Sequence, residues 1–219
     1  MSLPGAYRTA DGIIVPAVTT EEMRELDAIA TGETGLNLFQ MMENAGRNLA
    51  EVVIAELRGN EGAPSVVVLA GTGGNGGGGM CAARHLANRG LDVTLCVSQP
   101  ERLQGVPEAQ RLIYGHTSGA AVDTAHLASL QAELVIDALI GYSLEDAPKA
   151  EVRDMINWAV DQRTRFGARV VSLDLPSGID ATTGEAPGAH ICADTTLTLA
   201  LPKTGLHPGG ELAPSCAGE

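Results

Sequence analysis

Apolar and polar positions along the chain follow two rhythms. Between residues 19 and 59 apolar residues recur every three or four positions. TTEEMRELDAIA sets Met23, Leu26, Ile29 and Ala30 on one helical face, and Thr19 with Glu22 three residues later forms a capping-box pattern that starts a helix. After the break TGETG, the stretch LNLFQMMENAGRNLAEVVIAELRG places Leu38, Met42, Ala45, Leu49, Val52 and Val53 along a longer helix ending at Gly59. The rhythm then changes to short apolar runs rich in β-branched residues: SVVVLA, LDVTLCVS, a short AAVDT, ELVIDALI, ARVVSLDL and TTLTLAL. Helical stretches such as MCAARHLANRG and AEVRDMINWAVDQRTRF separate them. Strands that are apolar throughout and alternate with helices predict an α/β fold, a Rossmann-like three-layer α/β/α arrangement with a mostly parallel sheet, preceded by two N-terminal helices. With AAVDT as third strand, ELVIDALI returns beside the first. Ligands in such a 3-2-1-4-5 sheet bind at the carboxyl ends of the strands, where the order reverses.

The 219 residues suit one domain, with residues 1–18 as an N-terminal extension. Apolar residues make up 44% of the chain but aromatics only 3%, so the core is to be built from Ala, Val, Leu and Ile. No apolar run approaches the roughly 18 residues of a membrane span, and MSLPGAYRTADG lacks the regions of a signal peptide, so the expected location is cytoplasmic, with no membrane partner. A net charge of −13 argues against nucleic acid, which needs clustered Lys and Arg, but does not exclude a single dinucleotide held by local N–H donors. Cys81, Cys96, Cys192 and Cys216 form no CxxC pair and have no His at ligand spacing, so neither a zinc site nor a disulfide framework is expected.

The segment GTGGNGGGG, Gly71 to Gly79, lies between a strand and a helix. Glycine there lets a phosphate approach main-chain N–H groups at a helix N-terminus. Gly71, Gly73 and Gly76 satisfy G-x-G-x-x-G, which raises an NAD(P)-dependent oxidoreductase. The match is weak, because seven glycines in nine residues satisfy many patterns. The second strand also ends in Val97, Ser98 and Gln99, without the acid that would bind an adenosine ribose, and no GK[ST] follows to indicate an ATPase or GTPase. Asn75, Asp137 near the end of ELVIDALI, and Asp174 with Ser177 in DLPSGID are the polar residues that this sheet order would bring to one crevice.

Together, MMENAGRNLAEVV, the glycine segment, VIDALIGYSL, SLDLPSGIDATTGE and TLTLALPKTGL resemble the YjeF N-terminal domain family, the NAD(P)HX epimerases, from about Thr19 to Leu206. The resemblance implies a Rossmann-like, often dimeric protein that interconverts the R and S forms of hydrated NADH or NADPH, with repair completed by a separate dehydratase. It implies a potassium ion held by Asn75, Asp137 and Ser177, a set of hard oxygen donors. It places the hydrated nucleotide against Gly74, Asn75, Gly76, Gly77 and Gly78, against Gly141, Tyr142, Ser143, Leu144, Glu145, Asp146 and Ala147, and against Asp174. Asp174 is the candidate acid and base: it would protonate the C6 hydroxyl as the ring nitrogen expels it, then deprotonate the water that returns.

Two departures qualify the resemblance. The family reads GxGNNGGDG, so Gly74 and Gly78 stand where Asn and Asp are expected, and two side chains expected to help fix the substrate are missing. A catalytically weakened nucleotide-binding or scaffold member of the family is therefore the alternative reading. The chain also stops at PSCAGE where the family continues into another strand, which implies a shortened C-terminus or an absent strand.

Overall fold

The computed structural model describes residues 6–59, 64–207 and 216–218. The expectation about the chain's end falls largely on residues 208–215 and 219, outside these. At the start, where the sequence offers only an extension, β1 (Ala6–Arg8) and β2 (Ile14–Pro16) form an antiparallel ribbon. Its turn needs Gly12 in the left-handed region (φ 86°), and Thr9 accepts the Gly12 N–H at 2.9 Å. Helix α1 (Thr20–Gly32) opens with the capping box of Thr19 and Glu22, both reciprocal bonds being present. Helix α2 (Leu38–Glu56) has a second capping box, Asn37 with Gln40, and buries Met42, Gly46, Leu49, Ala50 and Val53. Not every apolar position of the two helices is covered: Leu26, Ile29, Leu38 and Phe39 are exposed.

Beyond α2 the chain alternates: β3 (Ser65–Ala70), α3 (Gly74–Ala87), β4 (Asp92–Val97), α4 (Gly105–Tyr114), β5 (Ala120–Val122), β6 (Leu134–Ala138), α5 (Ala150–Phe166), β7 (Arg169–Leu173) and β8 (Thr195–Leu197). The last six strands form one parallel sheet in the order β5-β4-β3-β6-β7-β8. AAVDT is thus the third strand of this sheet, and the order reverses between β3 and β6. Side chains of β3 alternate between two cores, as the two-residue period of a strand requires. Val66, Val68 and Ala70 pack with Leu49 and Val53 of α2, Met80 and Leu86 of α3 and Tyr114 of α4. Val67 and Leu69 pack on the other face with Met155, Ile156 and Ala159 of α5. The outcome is a three-layer α/β/α molecule. No helix among the described residues is long and apolar enough to cross a membrane.

Two sequence-based expectations need correction here. The glycine segment is largely helix rather than loop, since α3 begins at Gly74 and contains Gly76 to Gly79. Glycine inside a helix costs about 1 kcal/mol relative to alanine, so tertiary packing overrides propensity at these positions. A Cβ at Gly76 would overlap the Gly71 carbonyl oxygen, and one at Gly79 would overlap Ala138 Cβ. One at Gly77 would lie 2.5 Å from Met42 Sδ. Bare backbone lets α3 lie directly on the sheet and on α2. The second correction is that Cys192 and Cys216 form a disulfide, across 24 residues of chain. Spacing could not reveal it, because the pairing follows from tertiary contact: Ala193 N–H donates to the Cys216 carbonyl at 2.9 Å, beside β8.

Alanine at Gly79 is expected to destabilise the fold by about 1–3 kcal/mol through overpacking. Alanine at Gly74, where a Cβ meets only Met42 Cε at 4.0 Å, is expected to cost nothing. Urea denaturation of the two variants tests this contrast.

Candidate functional site

The carboxyl ends of β3, β6, β7 and β8 meet at the point where the sheet order reverses, and each delivers part of one constellation. From β3, the chain turns through Gly71 to Gly73 into α3. Gly73 caps the helix without any side-chain bond, and the first intrahelical bond shown runs from Gly77 N–H to the Gly73 carbonyl at 3.0 Å. The N–H groups of Gly74, Asn75 and Gly76 thus stand at an uncapped, dipole-positive end suited to an anion.

From β6 comes Asp137, which is fully buried. It lies opposite Ser172 of β7, whose hydroxyl donates to Oδ2 at 2.8 Å. Ser177, in the turn after β7, donates through its N–H (2.8 Å, to Oδ2) and its hydroxyl (2.5 Å, to Oδ1), and Leu139 N–H adds a longer bond of 3.3 Å. Burial still pushes the Asp137 carboxyl above its ordinary range against these four donors. The Ser177 oxygen also accepts the Ile140 N–H at 2.9 Å, locking the turn after β7 to the loop after β6.

Asp174 terminates β7 with φ 70°, a conformation that non-glycine residues rarely adopt and that concentrates at functional sites. It is 3% exposed. Its Oδ1 accepts the Leu199 N–H at 3.2 Å and is paired directly with the ammonium of Lys203, whose side chain is completely buried. Lys203 Nζ also donates to the Leu199 carbonyl at 2.8 Å and the Thr198 hydroxyl at 3.4 Å. The other carboxylate oxygen, Oδ2, has one long bond, from Tyr142 N–H at 3.3 Å. A Cβ at Gly141 would lie 3.1 Å from this oxygen and 3.4 Å from Asn75, so glycine at 141 lets the three groups converge.

The expected residues thus separate into two neighbouring sets: Asp137 with Ser177, and Asp174 with Gly141, Tyr142 and Asn75. The Asn75 amide is buried with neither its oxygen nor its nitrogen bonded. In the segment from 141 to 147, Tyr142 is tied to α1, its hydroxyl donating to Asp27 at 2.7 Å; burial and then this carboxylate push the phenol up to about 12. Ser143, Glu145 and Asp146 are exposed, and Asp146 pairs with Lys149 at 3.1 Å.

A Cβ at Gly78 would point at Leu173 Cδ2, 2.8 Å away, and towards Ala45, so a side chain at this position would meet packed groups of β7 and α2. Only Gly74, of the two substituted positions, has open space around it. Lys203 escaped the sequence reading. A lone lysine in ALPKTG looks like a solvated loop charge; the available signal was its place just after the last apolar strand, at the same sheet end as Asp174.

A doubly wound parallel sheet whose polar residues gather at the switch point defines an α/β protein of Rossmann type, with its candidate site where sheets of this kind hold ligands. The family described as YjeF-related protein N-terminus matches residues 38–205, and the chain belongs to it. It is 46% identical over 202 residues to the NAD(P)H-hydrate epimerase of Dehalogenimonas lykanthroporepellens, covering 92% of this chain and 81% of that protein. It is 39% identical over 201 residues to the bifunctional NAD(P)H-hydrate repair enzyme Nnr of Hyperthermus butylicus, covering 87% of this chain but 35% of that protein. The crystal structure of yeast ynu0 superposes with a TM-score of 0.78 at 23% identity, over 87% of this chain and 83% of that one, and shares the fold.

Replacing Lys203 by Met leaves the buried Asp174 carboxylate without its cation, and a stability loss of about 3–5 kcal/mol is expected. Adding Asp174→Asn to that variant is expected to recover part of the loss, as read by chemical denaturation.

Proposed function

We propose that this chain interconverts the R and S forms of hydrated NADH and NADPH, in the cytoplasm, supplying a separate dehydratase with its usable epimer. The observation that carries the reading is the buried Asp174–Lys203 pair, with Oδ2 turned to Gly141 and Asn75 at the switch point. Family membership and the 46% identical epimerase support it.

The reaction breaks and remakes one C–O bond. The Asp174–Lys203 pair holds its available proton on the ammonium; that proton passes through Asp174 to the C6 hydroxyl as the ring nitrogen lone pair expels it, leaving an iminium, water, the Asp174 carboxylate and a neutral Lys203 amine. Water adds to either face of the iminium and its proton returns through Asp174 to Lys203, so the enzyme ends as it began. Lys203 holds Oδ1 and keeps its bonds to Leu199 and Thr198, so the proton arrives and leaves at a fixed oxygen. The N–H groups of Gly74, Asn75 and Gly76 receive pyrophosphate, and the segment from Gly141 to Ala147, anchored by Tyr142, covers the nicotinamide ring.

Asn75, Asp137 and Ser177 carry the hard oxygen donors a potassium ion takes, and the unbonded, buried Asn75 amide is a group that an ion would satisfy. Asn75 stands in the Asp174 set, however, and the Asp137 and Ser177 oxygens are hydrogen-bonded to one another, so an ion here would have to join the two sets. We assign these three residues to potassium, which when bound would place positive charge beside the Asp137 carboxyl. The assembly is proposed to be a homodimer through the exposed face of α2, where Leu36 and Phe39 line a groove with Arg47. The scaffold alternative draws less from Gly78 than the sequence suggests, since that position faces packed side chains.

Purified protein is expected to bring separated S and R hydrates to equilibrium faster than the spontaneous rate, followed by chromatography. Asp174→Asn is expected to lose about 10²–10⁴ in rate while still binding nucleotide; wild-type turnover in this variant would remove Asp174 from the mechanism.

Potassium is expected to raise the melting temperature more than an equal concentration of choline. Asn75→Ala, which breaks no hydrogen bond in the fold, is expected to abolish that difference. Phe39→Glu is expected to convert dimer to monomer in light scattering, and a wild-type monomer would reject the proposed assembly.

A further inference from the structure

The disulfide end of the sheet carries a second set of chemistry-bearing groups, remote in role from the crevice. His190, Cys192 and Cys216 bring one ring nitrogen and two sulfurs within 4.8 Å of one another. A tetrahedral ion with Zn–S of about 2.3 Å and Zn–N of about 2.0 Å needs its ligands gathered on that scale. His190 Nδ1 lies 3.0 Å from the Gly188 carbonyl oxygen, which can only accept. This bond keeps the proton on Nδ1 and the lone pair on Nε2, the arrangement by which a backbone carbonyl orients a metal-binding histidine.

The cysteine-bearing segments do not depend on the S–S bond for their proximity. Ala193 N–H donates to the Cys216 carbonyl at 2.9 Å, and the Thr196 hydroxyl donates to the Ala217 carbonyl at 2.5 Å. On the other side, Ile191 N–H donates to the Ser177 carbonyl at 2.9 Å. Breaking the disulfide therefore leaves two thiols side by side. A groove of about 330 Å³ between α5 and residues 188–192 is lined by His190 and Cys192 and gives both access to solvent.

Glu43, Cys81 and His85 are gathered just as closely. There, however, Arg84 already supplies the cation, at 2.5 and 2.7 Å from the two Glu43 oxygens and 3.4 Å from Cys81 Sγ. Burial, then the neighbouring Glu43, also push the Cys81 thiol up to about 12. Beside the Cys192 cluster, Arg163, which lines the groove, is engaged by Asp194 at 2.7 Å.

We propose that His190, Cys192 and the reduced Cys216 form a site for one divalent transition ion of the zinc class, and that the disulfide is its closed, metal-free state. A dithiol reductant supplies two electrons and two protons, becomes a disulfide itself, and opens the Cys192–Cys216 bond to two thiols. The ion then displaces the two thiol protons and is held by two thiolates and one neutral imidazole, a donor set that favours zinc over magnesium or calcium.

The test uses cobalt(II) alone as probe. Wild-type chain is reduced with a dithiol, desalted without oxygen and titrated. One cobalt per chain is expected, with thiolate-to-cobalt charge-transfer absorption that zinc displaces. Unreduced wild type and the Cys192→Ser/Cys216→Ser variant, which retains Cys81 and Cys96, are expected to show none. His190→Ala is expected to weaken cobalt binding by about tenfold or more. The proposal is overturned if reduced wild type gives the spectrum of the double-serine variant. Should that variant not fold, unreduced wild type serves as the control, and equal cobalt binding before and after reduction overturns the proposal as well. Neither readout involves epimerisation, so the outcome is independent of the proposed function.

Discussion

Backbone contact between α3 and the sheet is the constraint on which the remaining arrangement rests. Over two turns this helix has almost no side chains, and the surfaces it meets are the Gly71 carbonyl, Ala138, Leu173 and Met42. Ordinary helix–sheet packing interposes a layer of side chains; here the layer is missing on one side. The helix axis is therefore drawn towards the carboxyl ends of β3 and β6, and its positive end opens into the crevice where Asp174 and Gly141 lie. The cost in helix propensity, about 1 kcal/mol for each interior glycine, is offset by burial of Met80, Ala82, Ala83 and Leu86 in the same helix.

A second dependence runs through charge. Asp174 and Lys203 are each nearly or wholly excluded from solvent, and such a pair is retained only where geometry and further hydrogen bonds compensate the lost hydration. The compensation here comes from backbone: Leu199 contributes both its N–H, to the carboxylate, and its carbonyl, to the ammonium. One residue after β8 thus bonds both members of the pair, which fixes the carboxylate's orientation from outside the strand that bears it.

The strands and the crossover order were legible because fully apolar runs separated by helices admit few parallel arrangements. Asp137, Asp174 and Ser177 were legible as residues at strand ends, since topology alone brings those ends together. Less visible were features decided by contact between distant segments. The helical state of Gly76 to Gly79 contradicts local propensity, and nothing local indicates the surfaces that reward it. Lys203 is a surface residue by composition and a core residue by location. Cys192 and Cys216 lie 24 positions apart, and only their placement beside β8 makes them neighbours. Gly78 shows the same dependence: the surroundings of a side chain at that motif position, Leu173 and Ala45, come from β7 and α2 and are invisible in the local sequence.

The seam between the two ends of the chain bears on the order in which the molecule is completed. Val18 pairs with Lys203, receiving the Thr204 N–H at its carbonyl and donating to Pro202, and the Tyr7 hydroxyl reaches the Lys203 carbonyl across 196 residues. Closing so long a loop adds little at equilibrium, about 0.6 kcal/mol for each doubling of length. Its influence falls on rate, since contacts between residues far apart in sequence are slow to form. The segment that neutralises Asp174 across 29 residues is also the one that holds the N-terminal ribbon to the rest of the molecule, so one short stretch after β8 both dries the crevice and closes the chain upon itself.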